Sequence, residues 1–232
     1  MFKTILKGYE AVIFDLDGTI VQDEPTWNLA KQNIFEPEIV SQNPYYGERG
    51  LQLRENISLI VKNNYLRSNV NQQTYYQLVV KEFFNNFDDV YLTEGFVEFA
   101  ENLKKLNIRM VLVTNTDRDI TLEIIKRLKI EKYFEFVVTP QDVKNPKPFP
   151  DIYEFAINKL KVAKNKILVF EDSPAGNYSA EMAGLQNRII VLDPSLDLVS
   201  FGSTTRNFID DFEIINDNIK VDADDYIMDL FQ

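Results

Sequence analysis

The stretch Val12-Ile13-Phe14-Asp15-Leu16-Asp17-Gly18-Thr19 decides the fold. Three consecutive apolar residues run without alternation into a carboxylate. An unalternated run of this kind reads as a short strand buried on both faces, and the acidic, glycine-containing segment after it as a turn. The same strand signal returns downstream at Met110 to Val113, Phe136 to Val138, Ile167 to Phe170 and, as the last strand, Ile189 to Leu192. Between these lie stripes at helical spacing. They are Phe96, Phe99, Leu103 and Leu106; Ile120, Ile124, Ile125 and Leu128; and Ile152, Phe155, Ala156 and Leu160, with a short helix from Pro174 to Gly184. Strands separated by helices of this length imply right-handed crossovers. The class is therefore α/β, a Rossmann-like parallel sheet with helices on both faces.

Residues 22–90 break that rhythm. They carry no convincing strand and three helical stretches, around Trp27 to Phe35, Leu51 to Val61 and Gln73 to Phe87. Tyr76, Val79, Phe83 and Phe87 fall at helical spacing and read as packing. The expected organisation is a core of residues 1–21 and 91–232 with an inserted α-helical cap at 22–90. Its hinges are expected near Val21-Gln22 and Asp89-Val90, over the carboxyl edge of the sheet.

Composition narrows the chemistry. The 232 residues include no cysteine and no histidine, which excludes disulfides, thiolate zinc sites, imidazole ligands and Ser-His-Asp machinery. Acid-base work falls to carboxylates, lysines or tyrosines. The net charge of −11 argues against nucleic acid as a partner, since phosphate backbones need clustered Lys and Arg. From Thr205 to Gln232 eight acidic residues face only Arg206 and Lys220, a tail that reads as solvated surface. No apolar run is long enough for a signal-peptide core or a membrane span, so no membrane is expected as a partner and the cytoplasm is the expected compartment.

Every candidate reactive group falls at the carboxyl end of an expected strand, where open parallel sheets bind ligands. Asp15 and Asp17 follow the first, Thr114 and Asn115 the second, and Glu171 and Asp172 the fourth, with Lys147 in the loop after the third. DLDGT at Asp15 to Thr19, a hydrophobic strand ending in Thr114, KPFPD at Lys147 to Asp151 and FEDSPAG at Phe170 to Gly176 together resemble the four motifs of the haloacid dehalogenase superfamily. The resemblance covers about residues 10–195, and the helical insert matches the cap position of the superfamily's phosphatase and phosphomutase branches.

The resemblance implies a division of labour. Asp15 takes the place of the nucleophile. Asp17 takes that of the general acid, which protonates the departing alkoxide and then activates water against the aspartyl-phosphate. Magnesium is implied as cofactor, held by the carboxylates of Asp15 and Asp172 and the backbone carbonyl of Asp17. Glu171 either adds a further ligand or orients Lys147 or a water. Lys147 supplies a point charge to Asp15 and the phosphoryl oxygens, while the Thr114 hydroxyl and the Asn115 N–H donate to those oxygens. The types suit the reaction, because a carboxylate attacks an anionic phosphate ester only when cations neutralise its oxygens.

The implied function is a magnesium-dependent phosphatase of a small phosphorylated metabolite, expected as a monomer. A β-phosphoglucomutase-like mutase is the alternative. Those mutases carry a cap-hinge histidine about ten residues beyond the second Asp, a place held here by Trp27. A metal-free dehalogenase is opposed by Asp17, and a receiver-like phospho-acceptor module by the length and the cap. Tyr45, Tyr46, Arg49 and Arg54 surround Gly47 in the stretch where related caps carry a specificity loop. Trp27, Arg49 and Arg54 are thus candidate substrate contacts, the two arginines either holding a second anionic group or standing in solvent.

Overall fold

The computed structural model describes residues 6, 8–35, 52–62, 71–192, 201 and 207–220. In chain order the elements begin with β1 (Ala11–Phe14), β2 (Val21–Gln22), α1 (Glu24–Ile34), α2 (Leu53–Lys62), α3 (Gln72–Asn85) and β3 (Tyr91–Leu92). They continue with α4 (Phe96–Lys105), β4 (Arg109–Val113), α5 (Arg118–Arg127), β5 (Phe136–Val138) and α6 (Asp151–Leu160). The chain then forms β6 (Ile167–Glu171), α7 (Pro174–Met182), β7 (Arg188–Val191), β8 (Phe208–Ile209) and α8 (Glu213–Lys220).

Six strands form one parallel sheet in the order β5-β4-β1-β6-β7-β8. The fold is the expected α/β class, with alternate side chains sent to two cores. Val12 and Phe14 join Phe96, Phe99 and Leu103 of α4 on one face, with Ile120, Ile124 and Ile125 of α5. Ala11 and Ile13 join Ile152, Tyr153, Ala156 and Leu160 of α6 on the other, with Ala180 of α7. Burial on both faces is why β1 shows no alternation in sequence. Phe155, expected in the core, is instead partly exposed, and Tyr153 two positions earlier is fully buried.

The sheet does not end at β7. Phe208 and Ile209 form a sixth strand, and Phe212 packs fully buried against Phe99 and Phe170 with ring centroids 5.4 and 5.2 Å away. This corrects the reading of that part of the acidic segment as solvated surface. A two-residue strand is too short to show a period, and Asp210, Asp211 and Glu213 mask the single buried ring. Residues 221–232 of the acidic tail lie outside the described residues.

Helices α1 to α3 fall between β2 and β3, which pair antiparallel with Val21 opposite Leu92 and Gln22 opposite Tyr91. This ribbon is missing from the sequence reading, which places hinges there. Gln22 Nε2 donates to Thr93 Oγ1 at 2.8 Å, and Thr93 Oγ1 donates to the Thr19 carbonyl at 2.7 Å, so the ribbon is tied back to the turn after β1. Trp27 of α1 stacks on Phe83 of α3 with centroids 3.7 Å apart.

Candidate active site

Register brings the site together. Phe14 is level with Leu112 of β4 and with Phe170 of β6, so the residues that follow each strand emerge along one edge. Asp15, Asp17, Thr114, Asn115, Lys147 and Asp172 line a single cavity there. The turn that allows this is tight. Gly18 has φ +79°, and a Cβ on it would lie 2.2 Å from Asp172 Oδ2, so only glycine lets the first motif approach the fourth.

Lys147 is the hub. Its ammonium donates to Asp15 Oδ1 at 2.5 Å, to Glu171 Oε1 at 2.6 Å and to the Val113 carbonyl at 2.9 Å. The Asn115 side chain clamps the Lys147 backbone, accepting from its N–H at 3.0 Å and donating to its carbonyl at 2.9 Å. Burial alone would lower the ammonium's pKa, but the charges of Asp15 and Glu171 outweigh it and hold it above the usual value. Lys147 is therefore a fixed cation.

Glu171 is anchored by more than Lys147. Tyr153 Oη donates to its Oε1 at 2.5 Å, and Ser173 Oγ to its Oε2 at 3.2 Å. Gly176 makes room for it, since a Cβ there would meet the Glu171 carboxyl at 2.0 Å. Burial and then the Glu171 charge raise the Tyr153 phenol well above its ordinary pKa, so it stays a donor.

Asp17 is held apart from this network. Its Oδ2 accepts from Thr114 Oγ1 at 3.0 Å and from Thr116 Oγ1 at 2.8 Å. The Thr114 hydroxyl, expected to face phosphoryl oxygens, is thus given to Asp17. On the other side stands Asp23, the N-cap residue of α1, fully buried and accepting from Trp27 Nε1 at 3.2 Å. Burial, and then the adjacent Asp17 carboxylate, raise Asp23 well above the carboxylate range.

The charge count carries the argument for a cation. Carboxylate oxygens of Asp15, Glu171 and Asp172 all lie within 4.8 Å of one another, and all three residues are buried. Lys147 pairs with Asp15 and Glu171, and one cation cannot balance three carboxylates. Burial pushes the Asp15 carboxyl up to about 8 despite Lys147, with Glu171 and Asp17 adding to the rise. An all-oxygen donor set with surplus negative charge fits a hard divalent ion.

Residues 12–190 match the family model of the haloacid dehalogenase-like hydrolases. The chain belongs to that family. A phosphorylated carbohydrates phosphatase from Thermotoga maritima is 31% identical over 180 residues, spanning 76% of this chain and 82% of its own. A phosphoglycolate phosphatase from Photorhabdus laumondii is 26% identical over 199 residues, spanning 79% and 81%. A solved Thermotoga maritima structure, described provisionally as a β-phosphoglucomutase, superposes with a TM-score of 0.74 at 28% identity, covering 91% of this chain and 99% of its own.

As a haloacid dehalogenase-like hydrolase this chain is an enzyme, and its cavity has a helical roof. Glu24, Trp27 and Lys31 of α1, Leu53 and Asn56 of α2, and Tyr76 of α3 form the part of the lining that the cap region contributes. Arg54 touches two residues of that lining. Its guanidinium pairs with Asp117 at 2.7 Å and lies 3.9 Å over the Tyr76 ring, outside the residues lining the cavity. Arg49, with Tyr45, Tyr46 and Gly47, lies outside the described residues. Thr116, Asp23, Tyr153 and the roof residues Lys31 and Asn56 are absent from the sequence reading. Only Thr116 carried a signal, as a second hydroxyl two positions beyond Thr114. Among the described residues no helix is long and apolar enough to cross a membrane.

Proposed function

We propose that this hydrolase is a magnesium-dependent phosphatase of small phosphate monoesters, acting through an aspartyl-phosphate on Asp15. The observation that carries the reading is the pairing of a Lys147-bound Asp15 with a separately held Asp17 in one cavity. Residues 22–90 serve as the cap and residues 1–21 with 91–232 as the catalytic core. The names of the carbohydrate and phosphoglycolate phosphatases among its relatives support hydrolysis of a monoester.

In this reading Asp15 attacks phosphorus in line, and the ester P–O bond breaks with its electron pair leaving on the alcohol oxygen. Asp17 gives that oxygen a proton. The resulting carboxylate then takes a proton from water, whose oxygen attacks the same phosphorus and expels the Asp15 carboxylate. Thr114 and Thr116 aim Asp17 at the departing oxygen, and Lys147 neutralises charge on Asp15 and the phosphoryl group. Asp15, Asp172, the backbone carbonyl of Asp17 and the Glu171 carboxylate would hold magnesium, with Glu171 also fixing Lys147. When bound, the ion supplies the positive charge that lets Asp15 ionise at neutral pH and that screens the phosphoryl oxygens. Closure of the roof keeps bulk water and bulky substrates out.

A panel of phosphorylated metabolites tests this. Phosphate release is expected with Mg2+, lost in excess chelator, and abolished by Asp15→Asn. Full activity in chelator would overturn the reading and favour a metal-free reaction.

A further inference from the structure

The roof of the cavity contains chemistry that phosphate cleavage does not use. On α1, Glu24, Trp27 and Lys31 are spaced three and four apart and so share the face that lines the cavity. On α2, Leu53 and Asn56 do the same. Lys31 and Asn56 are both about 94% buried at 6% exposure, so neither is a solvated surface group. Burial lowers the Lys31 ammonium, while Glu24 and then Asp23 push it back up, which places a carboxylate and an ammonium as compensating charges on one wall. Asn56 Oδ1 has no hydrogen-bond partner among the described residues, an acceptor left open in a buried position.

Resting on the phosphatase reading above, we infer that Glu24, Lys31 and Asn56 select a neutral, hydroxyl-bearing leaving group, a polyol or sugar phosphate, against monoesters that carry a second anion. The reason is donor and acceptor balance. A hydroxyl donates and accepts, so it satisfies Glu24, Lys31 and Asn56 alike. A carboxylate or second phosphate only accepts. It would suit Lys31, leave Asn56 Oδ1 unpaired and stand against Glu24. Trp27, Leu53 and Tyr76 supply apolar surface for the C–H faces that a polyol presents between its hydroxyls.

The test uses the Mg2+-loaded enzyme and pairs of substrates that differ only at the far carbon: glycerol 3-phosphate against 3-phosphoglycerate, and sorbitol 6-phosphate against 6-phosphogluconate. 4-Nitrophenyl phosphate, which has no hydroxyl, serves as reference. The polyol member of each pair is expected to have kcat/KM at least tenfold higher. Glu24→Gln should raise kcat/KM for the carboxylate member severalfold and narrow the gap. Lys31→Met and Asn56→Leu should each lower kcat/KM for the polyols about tenfold, mostly through KM, with 4-nitrophenyl phosphate changed less than twofold. Equal or faster hydrolysis of the carboxylate members would overturn the inference while leaving the phosphatase reading intact. Parallel losses on 4-nitrophenyl phosphate would also overturn it, because they mark Lys31 and Asn56 as structural. No phosphate from any of the five compounds would overturn the phosphatase reading and this inference together.

Discussion

Lys147 and Asp15, 132 residues apart in sequence, meet in a buried ion pair of 2.5 Å, and Lys147 spends the rest of its charge on Glu171 at 2.6 Å. Removing Lys147 leaves the Glu171 carboxylate buried in a site that cannot solvate it. Lys147→Met is therefore expected to cost about 3–5 kcal/mol of stability at neutral pH, as well as activity. Denaturant unfolding in chelator measures it. Lys147→Met with Glu171→Gln should recover part of the loss, since the second change removes one orphaned charge. A Lys147→Met cost below about 1 kcal/mol would show that the pair does not hold the site together.

The Asp15 carboxyl gives a pH dependence with a definite sign. Burial, opposed by Lys147, raises it from the usual 3.8 to about 8, so the folded chain binds this proton more tightly than the unfolded one. The stability this provides is fully present below the unfolded value and is lost as pH rises toward 8. In metal-free protein, thermal melts should show wild type losing stability across that window relative to Asp15→Asn, whose amide does not titrate. Added Mg2+ should restore wild type at the upper end and affect the variant less. Parallel profiles for the two proteins, with and without the ion, would count against the surplus-charge argument for a cation.

Asp117 joins roof to core. Its Oδ2 accepts from Arg54 Nε of α2 at 2.7 Å and from the Tyr76 hydroxyl of α3, while its Oδ1 accepts from Gln141 at 2.6 Å. Burial and then the Asp117 carboxylate raise the Tyr76 phenol above its usual value, so it remains a donor. The Arg54 side chain is 45% exposed, which keeps that part of the contact modest. Asp117→Ala should weaken closure by about 1 kcal/mol, seen as about a fivefold rise in KM with a smaller change in kcat. Wild-type KM should also rise with ionic strength more steeply than the variant's. A variant with unchanged KM and the same salt response would remove the latch.

What the sequence reveals and conceals follows from locality. β1 and its turn are legible because three apolar residues lead straight into Asp15, Asp17 and Gly18, and Lys147 because Pro148 follows it with a second proline at Pro150. Each motif supplies its own residues to one sheet edge. Tyr153 is concealed because a helix position occupied by an aromatic reads as packing, and only the fold shows its hydroxyl on Glu171. β8 is concealed by its length, and Phe212 by its acidic neighbours. Lys31 and Asn56 look like the polar faces of two unremarkable helices until the roof closes over them, burying what the pattern exposes.

Trp27 bears on the choice between the proposed phosphatase and a mutase. It stands where the resembling mutases carry a hinge histidine, but its ring is stacked on Phe83 with an interplanar angle of 11°, and its Nε1 is given to Asp23 at 3.2 Å. An indole N–H donates a hydrogen bond and cannot carry a proton between groups at neutral pH. Asp23, which accepts from it, lies beside Asp17, so in the proposed mechanism the hinge of the roof is wired to the general acid without an imidazole to gate it. A mutase must shield its aspartyl-phosphate until a second sugar hydroxyl arrives. Here Asp17 accepts from Thr114 and Thr116, which in the proposed mechanism keeps it aimed to activate water. A bisphosphate intermediate would also bring a second anion to the wall that holds Glu24. Given β-glucose 1-phosphate with catalytic glucose 1,6-bisphosphate and Mg2+, the enzyme is expected to give no rapid isomerisation, with any turnover appearing as free phosphate rather than glucose 6-phosphate. Measuring both products in one reaction makes the test decisive: fast glucose 6-phosphate formation with little phosphate released would replace the phosphatase with a mutase that gates its acid through something other than histidine.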